Sequence, residues 1–373
     1  MACCWSRGAE RLLPPSRDSP FDRMLLDGVA RAEQAGVFRS SPSAVQRRCL
    51  SGTLGLVVQF SPVHYGKKRS PTTSPQRVAD TTVDPAAFNF TKVNPVEKIA
   101  EVEVAAGRPQ AVTVLANISP LALGHTLLIP SYDQVLPQVL TEEHFLTGLH
   151  LLAKSSRHDF RLVFNSMLAY ASVNHFHWHG MYLNHCGFPD ARLPVEKVDR
   201  SVIAGAITEG RVSAELLVES QWYVRGFVIS AGCRQGAEGD RPPADLEALA
   251  SIAQLVVAEL HRRNIPHNVI LAPPSERRRK QVASTGMAHE EVAKPNSLSP
   301  DIYILPRQVE SAMREDACFH SGVMEVSGLL IAQTEESYEA FTEESLKEVF
   351  RSDVCLPETE FDDLICKVAW LIG

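Results

Sequence analysis

The stretch that most limits how this chain can fold is SVNHFHWHGM, residues 172–181. His175, His177 and His179 occupy alternate positions, with Phe176 and Trp178 between them. In an extended strand successive side chains point to opposite faces, whereas a helix would scatter these residues around its circumference. The segment therefore predicts a strand with the three imidazoles on one face and the two aromatic rings packed on the other.

The neighbouring segments alternate between strand and helix patterns. Two strands are predicted within residues 111–131 (AVTVLANISP and GHTLLIPS), followed by a helix that Thr141 caps and a strand at RLVFNSM, residues 161–167. Together with the histidine strand these elements run β-β-α-β-β along the chain. This order indicates an α+β fold with an antiparallel sheet.

A similar order of elements recurs in the second half of the chain. A strand is predicted at 223–232, a helix at 243–264, and further strands at 265–273 and 301–307, where IYILP replaces the histidines. The repetition predicts two related halves, of which the second is degenerate. The predicted division is a disordered N-terminus (1–18), a first half with the histidines (19–215), a second half with a polar loop at 275–300 (216–333) and a helical C-terminal segment (334–373).

The composition argues against several classes of protein. The 373 residues carry a formal net charge of −7, which is unfavourable for binding nucleic acid through its phosphates. The apolar runs are too short or too interrupted for a membrane span or a signal peptide. The eight cysteines follow no CxxC or disulfide framework. We therefore expect a cytoplasmic protein that contacts neither nucleic acid nor membrane.

Three interpretations of the histidine strand are open from the residues alone. The histidines can be core residues satisfied by hydrogen bonds, although burying three titratable groups side by side is costly. They can also contribute to a metal site. Three same-face strand positions span roughly 13 Å, so one ion would take two of them and a third ligand from elsewhere. His125, His185 and His267 are the candidates for that third ligand.

The third interpretation is nucleophilic catalysis on a phosphate. A neutral imidazole nitrogen attacks phosphorus well, provided that a hydrogen bond to its other nitrogen fixes the tautomer. The reaction also needs donors around the non-bridging oxygens. His177 has a histidine on each side, which makes it the best candidate for the nucleophile. The candidate donors lie just before it or on the preceding strand: Ser172, Asn174, Asn165 and Ser166.

Several other polar residues are candidates for binding a base or a phosphate. Asn89 and Lys92, in FNFTKVNP, suit contacts to a base or a phosphate, but an ordinary turn explains them equally well. His125 follows Gly124 at a turn, where capping or packing is the favoured role. Lys197 and Arg225 are more typical of solvated surface charges than of phosphate ligands.

These residues resemble a known family. H-x-H-x-H with apolar x is similar to the motif of the histidine triad superfamily, and Asn174-His175-Phe176-His177 resembles the nucleophile segment of its transferase branch. Several further stretches resemble the GDP-hexose phosphorylases of animals and plants. They are SPFD (19–22), FNFTKVNP (88–95), NISPLALGHTLLIP (117–130), FNS…ASVNHFHWHG (164–180) and LPVEKV (193–198).

The resemblance implies a nucleotidyltransferase with a histidine-triad fold. His177 would be the nucleophile that becomes guanylylated, supported by His175 and His179, and the substrates would be a GDP-hexose, GDP-glucose above all, and inorganic phosphate. No cofactor is required, although a divalent cation is compatible with the chemistry, and a homodimer is a possible assembly. The third histidine occurs both in hydrolases and in phosphorylases of the superfamily. A hydrolase or another nucleotidyltransferase therefore stays open as an alternative, as does a non-catalytic nucleotide-binding protein.

Overall fold

The computed structural model describes residues 18–61, 77–105, 111–204, 212–231, 246–275, 299–309 and 319–373. Residues 1–17 of the predicted disordered N-terminus and most of the predicted polar loop at 275–300 lie outside the described residues, as does the polar, Pro-containing segment 62–76. The strands are β1 (Gln46–Cys49), β2 (Val57–Phe60), β3 (Lys98–Glu103), β4 (Ala111–Ala116), β5 (Thr126–Pro130), β6 (Phe160–Asn165), β7 (Trp178–Tyr182), β8 (Arg200–Ala204), β9 (Val212–Leu217), β10 (Phe227–Ala231), β11 (His267–Ala272), β12 (Asp301–Pro306) and β13 (Leu329–Ala332). The α-helices are α1 (Pro20–Gln34), α2 (Glu142–Lys154), α3 (Leu246–Arg263), α4 (Val323–Ser327), α5 (Glu335–Ala340), α6 (Glu343–Val349) and α7 (Glu358–Ile372).

One antiparallel sheet organises the described part of the chain. Ten strands pair in the order β3-β4-β5-β7-β6-β11-β12-β10-β9-β8. The order reads the same from either edge, because β3, β4, β5, β7 and β6 occupy the places that β8, β9, β10, β12 and β11 occupy on the other side. The two sides meet where β6 pairs with β11, with Asn165 opposite Asn268. This is the arrangement expected of two related halves, while their origin by duplication stays a prediction.

Helices α1, α2, α3 and α7 cover one face of this sheet. Their apolar side chains form a single buried cluster with the sheet residues that point towards them, and Leu149 of α2 and Val256 of α3 are fully buried in it. Phe176 and Trp178 are also fully buried in this cluster. The aromatic face predicted for the histidine segment therefore lies under the helices.

A second cluster covers the opposite face of the sheet. There β2 pairs with β1 antiparallel and with β13 parallel, which gives a small three-stranded sheet. Val58 of β2 and Leu330 of β13 pack in the same cluster as Val163 of β6 and Met181 of β7. The histidine side of β7 thus faces the space between the two sheets.

The predicted elements are present, with shorter bounds, and the α+β class is confirmed. The sequence patterns missed β1, β3, β8, β9, β13 and the short helix α4. The predicted division at residue 215 stays a proposal; that residue lies within β9, which pairs with β8 before it and with β10 after it. None of the helices in the described part of the chain combines the length and apolar composition needed to cross a membrane.

Candidate active site

The histidine segment enters the sheet later than its alternating pattern predicts. β7 begins at Trp178, which pairs with Leu128 of β5, so His175 and His177 precede the strand. Their backbone is held by the loop before α2. Phe176 N–H donates to Leu136 O at 2.6 Å, and His177 N–H donates to the side-chain oxygen of Gln138 at 2.9 Å. The segment is thereby released from strand pairing while its backbone donors stay satisfied.

His177 has the tautomer that a nucleophile requires. Its Nδ1 lies 2.8 Å from the carbonyl oxygen of His175, an acceptor, so Nδ1 carries the proton and Nε2 keeps its lone pair. The side chain is 5% exposed and lines a cavity. Burial lowers the pKa of His177 to about 4, which the hydrogen bond to the His175 carbonyl only partly offsets. The ring is therefore neutral and nucleophilic at physiological pH.

His175 supports His177 through its main chain rather than through its ring. Its fully buried ring accepts a hydrogen bond at Nδ1 from Phe90 N–H, at 3.1 Å, which places the proton of the neutral ring on Nε2. That nitrogen has no hydrogen-bond partner among the described residues. Burial, together with the nearby His177, lowers the pKa of His175 to about 4.

His179 is oriented by a fourth histidine. His125 Nδ1 accepts from Leu121 N–H at 3.1 Å, so the proton of a neutral His125 ring lies on Nε2, 3.0 Å from His179 Nδ1. His125 then donates to His179, and the proton of His179 lies on its own Nε2. Asn117 Nδ2 is 3.1 Å from the same His125 nitrogen, but as a second donor it adds a contact and no further hydrogen bond there. His179 therefore presents an N–H donor and not a free base.

Leu121 is itself clamped in place. Its carbonyl oxygen accepts from Arg47 at 3.0 Å and from the Gln59 side chain at 2.9 Å. Arg47 Nε also donates to the Gln59 side-chain oxygen, at 2.8 Å. The small sheet thus holds Leu121 in place, and the N–H of Leu121 orients the His125 ring.

A cavity of about 140 Å³ opens in front of His177 and His179. It lies between β4 and β5 on one side and β6 with α4 on the other, and the described residues that line it include neither lysine nor arginine. Neutral donors are present instead, among them Asn117, Ser119 and Ser172. A bound anion would be held there mainly by hydrogen bonds.

Asn165 and Ser166 were predicted together but have different surroundings. Asn165 lines the cavity, and its Oδ1 accepts from Asn268 Nδ2 at 2.7 Å and from Val323 N–H at 2.8 Å. This leaves the Asn165 amide NH₂ as its donor group. Ser166 is 1% exposed, accepts from His267 N–H at 2.9 Å and donates to Met167 O at 2.9 Å. Its hydroxyl therefore joins β6 to β11.

The other predicted binding residues are divided in the same way. Ser172 lines the cavity, whereas Asn174 accepts from Gln138 N–H at 2.8 Å and donates to the carbonyls of Asp80 and Thr82 at 3.2 and 3.0 Å. Asn89 caps the short turn Phe90–Lys92 and accepts from Thr91 N–H at 3.0 Å. Lys92 donates to the carbonyl oxygens of Pro85 and Ala87 at 2.7 and 2.5 Å. These contacts tie loops to the site, and direct substrate contacts of Asn174, Asn89 and Lys92 stay a prediction.

Of the candidates for a third metal ligand, His125 lies in the site, whereas His185 and His267 do not line the cavity. The candidate phosphate charges do not line it either. His267 is buried under α3, where its ring centroid is 5.3 Å from that of His261. Lys197 pairs with Asp190 at 2.8 Å, and Arg225 pairs with Glu219. Within the described ranges no group of three or more histidine, cysteine, aspartate or glutamate side chains is arranged to hold a metal ion.

Sequence reasoning did not name Phe90, Gln138 or Glu325, and it favoured a capping or packing role for His125. The Phe90 ring centroid is 4.9 Å from that of His177, the Gln138 side chain accepts from His177 N–H, His125 orients His179, and Glu325 lines the cavity. For His125 the available signal was the sequence GHTLLIP, which resembles the superfamily. Phe90 lies in a stretch that was singled out for its polar residues. Gln138 and Glu325 are distant in sequence and had no local signal.

Two family models and several known proteins match this chain. Residues 20–181 match the family model "GDPGP1-like, N-terminal domain", and residues 194–371 match "GDPGP1-like, C-terminal domain". GDP-D-glucose phosphorylase 1 of Bos taurus is 29% identical over 99% of this chain and 88% of its own, and that of Danio rerio 28% over 92% and 88%. GDP-L-galactose phosphorylase 1 of Arabidopsis thaliana is 26% identical over 91% of this chain and 71% of its own.

The fold also has a solved counterpart. Yeast Ap4A phosphorylase Apa2 in complex with Ap4A superposes with a TM-score of 0.56 over 91% of this chain and 99% of that chain, at 14% identity. The likeness is one of fold, and it confirms the predicted α+β class. Since the two family models together span nearly the whole sequence, this chain belongs to the GDPGP1-like family.

Proposed function

We propose that this protein is a GDP-hexose phosphorylase that converts a GDP-hexose and inorganic phosphate into GDP and hexose 1-phosphate, with GDP-glucose as the preferred substrate. The observation that carries the proposal is His177, whose proton is fixed on Nδ1 and whose Nε2 lone pair is free beside the cavity. The names of the relatives support the substrate class. GDP-glucose is favoured over GDP-L-galactose because the relatives named for it are slightly more similar.

The proposed reaction has two steps on one nitrogen. In the first, His177 Nε2 forms a bond to the α-phosphorus of the GDP-hexose, the bond from that phosphorus to the bridging oxygen breaks, and hexose 1-phosphate leaves with the bonding electrons. In the second, an oxygen of inorganic phosphate attacks the same phosphorus, the P–N bond breaks, and GDP leaves. His177 is then regenerated as the neutral Nδ1–H tautomer.

Neither step needs a strong acid or base. The leaving oxygen belongs to a phosphate, and the attacking phosphate is already an anion. Positioning and hydrogen-bond donors therefore supply most of the catalysis. The donors we assign are His179 Nε2–H, the Asn165 amide and Ser172.

The state of His179 also favours phosphate over water as the acceptor. Water would need a base to remove its proton, whereas His179 gives its Nδ1 lone pair to His125 and carries a proton on Nε2. Phosphorolysis uses the same ring as a donor. We further propose a cytoplasmic location and no nucleic-acid or membrane partner; a homodimer stays a prediction.

The test is product analysis with GDP-glucose, with and without inorganic phosphate. We expect steady release of GDP only when phosphate is present. Without phosphate we expect about one equivalent of glucose 1-phosphate per site, together with an acid-labile, base-stable guanylyl group on His177. His177→Ala should lower turnover by about 10³-fold or more.

His185→Ala is the matched control, since His185 is a half-buried histidine outside the cavity. It should keep turnover within about threefold of the wild-type rate, as a substitution away from the site does. GMP released regardless of phosphate would make the protein a hydrolase. Tight nucleotide binding without any product would make it a binding protein, and either outcome would overturn the proposal.

A further inference from the structure

Two buried amides meet where the two sides of the ten-stranded sheet join. Asn165 ends β6, and Asn268, which lies opposite it on β11, is fully buried. The Nδ2 group of Asn268 donates to Asn165 Oδ1 at 2.7 Å and to the main-chain oxygen of Ala169 at 3.1 Å. Of the two amide side chains, only Asn165 lines the cavity in front of His177. Asn268 therefore reaches the cavity through Asn165.

The orientation of both amides is set by main-chain groups. A carbonyl oxygen can only accept, so Ala169 O requires the NH₂ group of Asn268 to point towards it. The same NH₂ group gives its second hydrogen to Asn165 Oδ1, which also accepts from Val323 N–H at 2.8 Å. A main-chain N–H can only donate, so the two ends of the pair agree. The NH₂ group of Asn165 is then the group left to donate into the cavity that this side chain lines.

This arrangement leaves one polar atom of Asn268 unsatisfied. Its Oδ1 is buried and has no hydrogen-bond partner among the described residues. A buried acceptor without a donor destabilises a fold. Turning the Asn268 amide round would be worse, because Oδ1 would then face two acceptors, Ala169 O and Asn165 Oδ1. A polar side chain kept at this cost to stability indicates a role beyond packing.

The turn after β6 supplies the acceptor that fixes Asn268. Leu168 and Tyr170 have φ values of 64° and 79°, in the left-handed region that residues other than glycine rarely adopt. Between them lies Ala169, whose carbonyl oxygen receives the Asn268 amide. Such backbone conformations persist only where the surrounding contacts hold them, and they concentrate at functional sites. The bent backbone and the buried amide therefore belong to one arrangement around Asn165.

We propose that Asn268 is a positioning residue: it holds the Asn165 amide with its NH₂ group towards the cavity, where that group donates to the phosphoryl oxygens at His177. The proposal rests on the proposed function, because it takes the reacting phosphorus to lie at His177. The described residues that line the cavity include neither lysine nor arginine, so each neutral donor matters to an anionic substrate. An Asn165 amide turned round would present its oxygen to the phosphate and repel it. A residue of the second half would thereby set the polarity of a donor in the first.

An isosteric substitution tests the direction of this hydrogen bond. Asn268→Asp replaces the NH₂ group by a carboxylate oxygen, which can only accept and which repels Asn165 Oδ1. Near pH 8 we expect kcat for GDP-glucose with saturating phosphate to fall about 10²-fold, the loss typical of one transition-state donor, with little change in KM.

The pH dependence of the same variant separates positioning from packing. Burial raises the pKa of the introduced carboxyl group, so this group takes up a proton as the pH falls towards about 5.5. Its O–H can then donate in place of the lost NH₂ group. The deficit in kcat, taken relative to the wild-type protein at the same pH, should therefore shrink by about tenfold.

A double-mutant cycle tests whether Asn268 acts through Asn165. Asn165→Ala should itself lower kcat by about 10²- to 10³-fold. If Asn268 acts by orienting that amide, Asn165→Ala/Asn268→Asp should match Asn165→Ala within about threefold. Gln254→Glu is the matched control, because Gln254 lies on α3 outside the cavity lining and its buried Oε1 also has no partner among the described residues. It should keep kcat within about threefold of wild type at each pH.

Asn268→Ala keeps the test decisive if Asn268→Asp fails to fold, which a thermal melt of each variant shows. It removes the amide without adding a charge, so it should lower kcat by about 10-fold with Asn165 present and have no further effect in Asn165→Ala.

Three results would overturn the inference and leave the phosphorylase assignment intact. A deficit in Asn268→Asp that stays constant with pH, or losses that multiply in the double variant, would assign Asn268 to packing. Unchanged kcat in Asn268→Asp would show that Val323 N–H orients Asn165 by itself. Absence of phosphate-dependent turnover in the wild-type protein would instead overturn the proposed function.

Discussion

The two sides of the ten-stranded sheet share one order of elements, yet they end in different chemistry. β12 is fully buried and pairs with both β11 and β10, and Asp301 at its start already pairs with Ala272. β7 takes the same place on the other side, but its ladder stops at Trp178, and the chain before it is held by Leu136 and Gln138. The difference teaches that His177, the proposed nucleophile, lies where strand pairing ends. On the other side the strand ladder is intact, and β12 is a buried core strand.

The second side still serves the site by supporting it. Asn268 of β11 holds the side chain of Asn165, and α4 brings Val323 and Glu325 to the cavity. The comparison is therefore one between a side that holds the proposed nucleophile and a side that supports the cavity wall. Substitutions matched across the two halves can break or sharpen this view.

The largest effect we predict is acid unfolding, to which both halves contribute. In the folded protein burial lowers the pKa of His144 to about 4 and that of His267 to about 3. The unfolded chain takes up protons near pH 6.5, so the stabilisation is complete above that pH and is lost as the pH falls towards 4. Each such histidine should contribute roughly 1 kcal/mol of lost stability per pH unit. The same reasoning applies to His175, His177 and His261.

Urea unfolding between pH 7.5 and 5 measures this slope. His144→Gln in the first half and His267→Gln in the second should each flatten it by a similar amount. A flatter slope in only one of the two variants would show that acid sensitivity belongs to one half. A pH-independent free energy of unfolding would contradict the prediction altogether.

The next effect is on stability at neutral pH. Arg161 of β6 forms two hydrogen bonds of 2.7 Å to the buried carboxylate of Glu196, whereas the side chain of Arg262 on α3 is 65% exposed beside Glu259. Arg161→Ala leaves a buried charge without its partner and should cost about 3–5 kcal/mol of unfolding free energy. Arg262→Ala should cost far less, because an exposed ion pair is screened by solvent and contributes little to stability.

Chemical denaturation measures both costs. The double variant Arg161→Met/Glu196→Leu is the control, because replacing both partners with apolar groups should destabilise far less than removing one. A similar loss of unfolding free energy in Arg161→Ala and Arg262→Ala would mean that burial does not determine how much each ion pair contributes to stability.

A smaller effect is expected on catalysis, from the residue that orients His179. His125→Gln removes the ring that fixes the His179 proton on Nε2 and should lower kcat by about 10- to 100-fold, with little change in the KM for GDP-glucose. His261→Gln, a substitution of a half-buried histidine on α3, should leave kcat within about threefold, since it lies away from the site. Steady-state kinetics with saturating phosphate provide the measurement. A rise in KM with unchanged kcat would assign His125 to ground-state binding.

These residues also show how far the sequence could predict the molecule. The spacing of apolar residues is a local signal. It predicted the strands β4 to β7, the helices α2 and α3, and the packing of Phe176 and Trp178 on the face opposite the histidines. The three-stranded sheet was missed because β1 and β13 are four residues long and are joined only through β2, so their pairing is set by tertiary contacts. The histidine pattern and the resemblance predict His177 as the nucleophile, and this stays a prediction. Gln138 and Glu325 lie far from it in sequence, and no local pattern records their placement beside it.

The smallest effect we predict concerns the loop that releases the histidine segment. Thr141 caps α2 by accepting from His144 N–H, and Thr334 caps α5 by accepting from Ser337 N–H, so Thr→Ala at either position should cost about 1 kcal/mol of unfolding free energy. Thr141 lies three residues after Gln138, but Gln138 is separately anchored, since its amide donates to Asn165 O at 3.1 Å and its N–H to the Asn174 side chain. Thr141→Ala should therefore keep phosphate-dependent turnover within about threefold of the wild-type rate, and we expect the same of Thr334→Ala. If Thr141→Ala lost activity while Thr334→Ala kept it at equal stability, the start of α2, and not Gln138 alone, would hold the nucleophile out of the strand ladder.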